Sequence, residues 1–375
     1  MKFGALVFEG GPVSGPIEGW VARAREELCL DLACRLSRID VFDGVFVVTD
    51  RAALAERALG VPGVEAVLGE GRGFHFGRRL NEAVAELGLD AFVYMSGGSG
   101  ALMSQAELEA FARAVLVDPG AIVANNVYSA DMFGCCQPRM LADGGVPPVD
   151  NQVPMWAATE KGMRAVGLEP TVGASFDIDT PTDLLVFACV ARALRPDAAR
   201  IVDMVMEAPV GRATPRLEAA AGRLAVDLSE VALFGRVSPV TVSHLNHVTR
   251  CRIRAYSEER GMRAFGRDLP GAARSLVARL AQRAGWEAFF ADLAWCADAA
   301  FFDSRVFFSH MGADLSADQR FASDLFLWED VGHRRVAEFT RAALECGIPV
   351  VLGGHCLVSG GIRALAAQAH QGDVV

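Results

Sequence analysis

Between residues 3 and 124 the chain repeats one pattern: a short apolar run, a turn, then a longer segment with helical spacing. Residues 3–8, 44–48, 64–68, 91–95 and 121–124 read as strands, being short, apolar and bounded by turn residues. Between them, Leu28, Leu32 and Leu36 recur at helical spacing within residues 18–38, and an Ala-rich helix runs to Leu59. Residues 78–87 and 105–116 also read as helices. A strand–helix alternation of this kind has to return each strand in the same direction, so the sheet is largely parallel and covered by helices on both faces. Ligands of such sheets sit at the carboxyl ends of the strands. The loops after residues 8, 48, 68, 95, 124 and 176 are therefore the ones to inspect. Residues 127–153, rich in Gly, Pro, Cys and Met without periodicity, read as an excursion over that edge.

At 375 residues the chain is long enough for two domains, and Arg195-Pro196 reads as a boundary. The expected division is 1–197 and 198–375. In the second part, residues 231–234, 250–256 and 348–352 read as strands and 272–284 and 334–346 as helices, an α+β domain. Net charge is −10, unevenly spread: residues 1–199 hold 16 basic and 26 acidic side chains, the remainder 20 of each. Between residues 236 and 283 stand ten arginines against Glu258, Glu259 and Asp268. Such a local excess serves either an anionic ligand or ion pairs with acids that follow. Overall acidity and the lack of interleaved aromatics argue against nucleic acid. No apolar run approaches a membrane span, the best being residues 184–190. The start reads as a first strand and loop rather than a signal peptide, so a cytoplasmic protein is expected. Nine cysteines without metal-ligand spacing are expected to be buried small hydrophobes.

The densest chemistry lies in Ala174-Ser175-Phe176-Asp177-Ile178-Asp179-Thr180-Pro181-Thr182-Asp183. As an extended segment it places Phe176 and Ile178 on one side and Asp177 and Asp179 on the other. Thr180 is an N-cap, Pro181 suits the first helical position, and Asp183 stands three residues after the cap.

With two further features this stretch resembles the nucleotidyltransferases that guanylylate molybdenum cofactor or phospholactate. One is the Gly10-Gly11 loop after the first strand. The other is a Gly-rich segment, residues 69–77, leading into Arg79-Leu80-Asn81-Glu82-Ala83. The resemblance covers roughly residues 1–195. It implies a nucleotide-diphospho-sugar transferase-like fold and transfer of a nucleotidyl group from a nucleoside triphosphate to a phosphorylated or acidic small acceptor. It also implies Mg²⁺ held by Asp177 and Asp179, with Asp131 as a further ligand. Gly10, Gly11, Arg72, Arg79, Asn81, Gly97, Gly98 and Ser99 would line the nucleotide. Two departures stand out. The first loop, Gly10-Gly11-Pro12-Val13-Ser14-Gly15-Pro16, has no basic residue. Ser99 occupies the place of the family's metal-binding Asp in Gly97-Gly98-Ser99-Gly100, and a hydroxyl is a poorer ligand for a hard dication. The alternatives are a non-catalytic protein that binds a nucleotide or a partner, and an enzyme whose chemistry lies in the second domain.

In that domain Arg250, Arg252 and Arg254 would share one strand face, either for an anion or for pairing with Glu258 and Glu259. Arg236 stands in the Gly235-Arg236-Val237-Ser238-Pro239 turn. Asp303 and Arg305, set among phenylalanines, are expected to pair, because buried charges are costly alone. His355, in Gly353-Gly354-His355, is the acid–base candidate of this half.

Overall fold

A computed structural model describes residues 1–69, 74–142, 145–208, 210–263 and 265–371. Cα packing divides the chain into two compact units, residues 1–13 with 22–177, and residues 14–21 with 178–375. The sequence places the division after residue 197. By packing, the helix Pro181–Leu194 groups with the second unit, where it packs against the helix Gly360–Gln371.

The first unit is built on strands β1 (Phe3–Phe8), β2 (Gly44–Thr49), β3 (Val64–Leu68), β4 (Ala91–Ser96), β5 (Ala121–Ala124), β6 (Met132–Cys135) and β7 (Arg164–Gly167). They form one seven-stranded sheet in the order β3-β2-β1-β4-β6-β5-β7. All neighbours run parallel except β6, which is antiparallel to both β4 and β5. Alternate residues of the central strands feed two cores. Ala5, Val7, Val47 and Val93 pack with Leu32, Leu36 and Phe111 on one face. Leu6, Phe46, Phe92 and Tyr94 pack with Phe76, Leu80 and Val84 on the other. Burial on both faces is why these strands are apolar throughout. At about 25 cal/mol per Å² of apolar surface, the two cores supply most of this unit's drive to fold.

The second unit carries β8 (Glu230–Gly235), β9 (Arg252–Ser257), β10 (Ala299–Asp303) and β11 (Val350–Gly353) in the order β11-β10-β8-β9. Helices and sheet are both present, as expected, and all four strands run parallel. Phe234 stacks on Phe302 and Tyr256 across the sheet, with ring centroids 4.2 and 4.5 Å apart. The chain enters at β8, adds β9 on one side, then crosses to β10 and β11 on the other. The topological switch point of this sheet therefore lies between β8 and β10. Among the described residues, no helix is long and apolar enough to cross a membrane.

Candidate functional site

The carboxyl edge of the first sheet is acidic. Glu9 follows β1, Asp50 follows β2, Asp131 stands between β5 and β6, Asp150 comes after β6 and Asp177 after β7. Glu9 is 6% exposed and receives Arg25 Nε at 3.0 Å. Gly11 takes φ +94°, and its amide donates to Asp50 Oδ1 at 3.0 Å. A Cβ on Gly10 would lie 2.3 Å from that same carboxylate, so the pair of glycines lets the loop close over Asp50. Arg51 Nη2 donates to the Gly11 carbonyl at 2.9 Å while Nη1 pairs with Glu26. Arg51 thus brings a guanidinium from the β2 end onto the first loop's backbone.

Three carboxylates converge on Tyr94. Its hydroxyl donates to Asp150 Oδ2 at 2.6 Å. Burial lifts the phenol's pKa well above its ordinary value, and Asp150, Asp131 and Asp177 each lift it further. Ser96 Oγ donates to Asp177 Oδ1 at 3.2 Å, and Asn151 Nδ2 donates to Asp131 Oδ1 at 3.0 Å. Tyr94, Ser96, Asp150 and Asn151 carried no sequence signal of their own, being ordinary residues at a strand end and in an aperiodic loop.

Other expected nucleotide contacts are engaged within the protein. Gly97, Gly98 and Ser99 are buried in the turn after β4. The Gly97 amide donates to the Phe8 carbonyl and the Ser99 amide to the Ser96 carbonyl. Ser99 Oγ donates to that same Ser96 carbonyl at 2.9 Å, and Ser99 bridges Asp177 as an isolated antiparallel pair. The Ser99 hydroxyl thus points into its own turn. Arg79 is half-buried and donates to the Val67 carbonyl at 3.3 Å. Asn81 stands inside the helix Phe76–Glu86, which begins earlier than the sequence suggests because His75 caps it, and its side chain donates to the Leu141 carbonyl at 3.4 Å. Arg72 lies outside the described residues.

Residues 176–179 form no continuous strand beyond the single bridge. Phe176 and Ile178 are buried as their spacing requires, but Asp177 is buried too, and only Asp179 is exposed. Asp177 belongs to the first unit and Asp179 to the second. The helix signal is borne out: Thr180 Oγ1 caps Asp183 N while Asp183 Oδ2 accepts from Thr180 N at 2.9 Å, a reciprocal capping box. Asp183 Oδ1 is buried without a hydrogen-bond partner among the described residues. Burial pushes the Asp183 carboxyl up to about 7, with Asp179 and Asp324 adding to the shift and its own hydrogen bonds opposing it.

No group of three His, Cys, Asp or Glu among the described residues could hold a metal ion as a protein cage. Mg²⁺ does not need one, since it usually takes one or two carboxylates together with substrate phosphates and water. Asp131 and Asp177, each oriented by a neutral donor, fit that limited demand.

At the carboxyl edge of the second sheet the charges pair differently from expectation. Asp303 pairs with Arg236 rather than Arg305. Arg236 Nη2 donates to Asp303 Oδ1 at 3.0 Å, and Nε and the backbone amide reach Oδ2. Burial pushes Asp303 up, but the Arg236 charge and hydrogen bonds outweigh it and hold the carboxyl below its usual value. Arg305 instead forks onto Asp324, with Nη1 2.9 Å from Oδ1. A helix begins at Ser304, so the residue two places after Asp303 turns away from it. Gly235 (φ +103°) makes the Arg236–Asp303 approach possible, because a Cβ there would lie 2.6 Å from Asp303 Cβ. His355 is half-buried; burial, then the Arg236 charge, hold its pKa down to about 4, and the charges of Asp303 and Asp179 partly oppose this. The imidazole is therefore neutral at neutral pH.

The expected arginine face is a surface ion-pair strip. Arg252 and Arg254 pair with Glu230, and Arg250, which precedes β9, pairs with Asp227. Glu258 is occupied elsewhere, accepting from the amides at the start of the helix Leu276–Ala284, and Glu259 pairs with Arg267. A cavity of about 480 Å³ opens beside the β8 turn, lined by Val237, Ser238, Val242, Asn246 and Ser257.

No family model matches the chain, and no curated protein matches it in sequence. Among solved structures it is similar to a cytidylyltransferase from Leptospira borgpetersenii, at 16% identity and a TM-score of 0.40, over 55% of this chain and 94% of that one. A nucleotidyl transferase from Methanothermobacter matches at 19% identity and TM-score 0.37, over 55% of this chain and 98% of that one. A CMP:2-keto-3-deoxy-manno-octonic acid synthetase complexed with CTP matches at 12% and 0.37, over 53% of this chain and 100% of that one.

Proposed function

We propose that the first unit binds a nucleoside triphosphate as its magnesium complex and transfers a nucleotidyl group to a small phosphorylated or acidic acceptor. The observation that carries this reading is the convergence of Asp131, Asp150 and Asp177 on Tyr94 at the carboxyl edge of a mostly parallel sheet. An edge so acidic repels a bare triphosphate and accepts one whose charge a dication offsets. Asp131 and Asp177 would hold the ion, with Asn151 and Ser96 fixing their carboxylates. Bound magnesium would neutralise charge developing on the phosphoryl oxygens during displacement of pyrophosphate. Arg51, already on the Gly11 carbonyl, would steady the phosphates.

A second reading, nucleotide binding without turnover, is favoured by Ser99, whose hydroxyl is spent on its own turn where the resembling family has a metal-binding acid. Titration calorimetry with GTP, CTP, ATP and UTP, each with and without Mg²⁺, tests both. Magnesium-dependent binding that falls at least tenfold in Asp177→Asn is the expected result. Failure of all four nucleotides to bind in Mg²⁺ rejects both readings. Release of pyrophosphate with acceptors of the stated class then separates transfer from binding alone.

A further inference from the structure

The second unit has its own charged centre. Three parallel strands deliver Arg236, Asp303 and His355 to one carboxyl edge, at the switch point where open α/β sheets take their ligands. Asp303 and Asp324 are both 0% exposed, yet each holds an arginine whose side chain keeps 19% or 15% of its surface open. Arg236 uses Nε and Nη2 on Asp303, and its Nη1 makes no hydrogen bond among the described residues. Arg305 uses Nη1 and Nη2 on Asp324 and leaves Nε without one. The two pairs are near neighbours: Ser304, next to Asp303 in the chain, accepts from Arg305 Nη1 at 3.0 Å and donates to Asp324 Oδ1 at 3.5 Å. Arg320 joins them, its pKa lowered by burial and then by the like charge of Arg305. Ser304, between the pairs, is tied to the Gly353 carbonyl at 3.1 Å, which locks the β10 and β11 ends together.

We propose that the carboxyl edge of the second sheet binds a small oxyanion, a phosphate ester or a carboxylate, on the open edges of Arg236 and Arg305. Buried carboxylates behind each guanidinium fix its orientation, so little rotamer entropy is lost when an anion arrives. Arg305 and Arg320 repel one another, and a bound anion relieves that repulsion. The partnerless Asp183 Oδ1 and the exposed Asp179 lie in the same electrostatic neighbourhood, and a ligand hydroxyl or a protonated phosphate oxygen would suit them. His355, at the end of the neighbouring strand, lies close enough to this pair for the charges of Arg236 and Asp303 to shift its pKa in opposite directions.

The full chain, in EDTA to exclude metal complexes, is titrated with inorganic phosphate, pyrophosphate and citrate while arginine Nε–H signals are followed by NMR. Saturable shifts of the Arg236 and Arg305 signals with at least one probe are expected. Response to the phosphates alone identifies a phosphoryl ligand, and response to citrate alone a carboxylate. Arg236→Lys keeps the charge but loses the fork, and should weaken binding at least tenfold without lowering the unfolding temperature appreciably. The pair variant Arg236→Gln with Asp303→Asn leaves no buried charge behind and should abolish binding with native circular dichroism. No saturable shift with any probe, or undiminished affinity in Arg236→Lys and in the pair variant, overturns the proposal.

Discussion

At the carboxyl edge of the first sheet, Glu9 receives Arg25 but three other acids accept from neutral donors: Ser96 on Asp177, Asn151 on Asp131, the Gly11 amide on Asp50. At the same edge of the second sheet, acids are oriented by arginines: Arg236 on Asp303 and Arg305 on Asp324. The difference teaches what each edge can receive. Hydroxyls and amides orient a carboxylate without adding positive charge of their own, the arrangement a dication site uses. Carboxylates held by guanidiniums are neutralised, and the cationic edges left over suit an anion. Both arrangements sit where parallel strands end, so the fold supplies the place and the partners supply the sign.

The comparison breaks most visibly if the arginines can be removed cheaply. Arg305→Met strands Asp324, and loss of one partner of a buried pair costs about 3–5 kcal/mol. Denaturant unfolding should show that loss in Arg305→Met and recover most of it in Arg305→Met with Asp324→Asn. A single variant as stable as the parent would show that the pairs do not organise this edge.

A smaller effect comes from Asp183. Its carboxyl is raised to about 7 in the folded chain and titrates near 4 when unfolded. Between those values the unfolded chain has lost the proton and the folded chain keeps it, so this group makes stability fall as pH rises. The slope is at most about 1.4 kcal/mol per pH unit. His355 acts in the opposite sense, since its pKa near 4 in the folded chain lets the unfolded chain bind more protons below the usual histidine value. The test is therefore a difference: Asp183→Asn, relative to the parent, should gain stability on going from pH 5 to pH 8. An unchanged difference would place the Asp183 titration in the ordinary carboxyl range.

Thr180→Ala removes the cap but leaves the buried helix, and should cost about 1 kcal/mol in the same unfolding measurement. Smallest of all, Arg250→Ala and Arg252→Ala should each change stability by less than about 0.5 kcal/mol, because their partners are surface acids screened by water. A loss several times larger would show that the arginine strip belongs with the buried pairs rather than with the solvated face.

The first unit's architecture was legible because each element obeys its own period. β1, β3 and β5 fall where apolar runs predict them, and the helix after Asp183 starts where Thr180, Pro181 and Asp183 say it should. These signals are local, set by side chains three or four residues apart. β6 escaped notice because Met132-Phe133-Gly134-Cys135 is too short for a period and lies in a Gly- and Pro-rich stretch. Gly134 is required there by the sheet itself, since a Cβ would meet the Phe92 carbonyl at 2.6 Å. The candidate sites were less legible. Asp177 was visible, but its partner Ser96 stands 81 residues away and the Arg236–Asp303 pair spans 67. Proximity in sequence suggested Asp303 with Arg305, and the helix that begins between them decided otherwise.

By itself the sequence determined a mostly parallel α/β sheet, the capped helix at Thr180 and the presence of acids at strand ends, because hydrophobic period and capping act over a few residues. Only the tertiary structure decided that Ser99 turns inward, that Asp177 and Asp179 fall in different compact units, and that Arg236 rather than Arg305 neutralises Asp303. Those outcomes depend on which strand ends lie side by side, and strand order is set by long-range packing that no local spacing encodes.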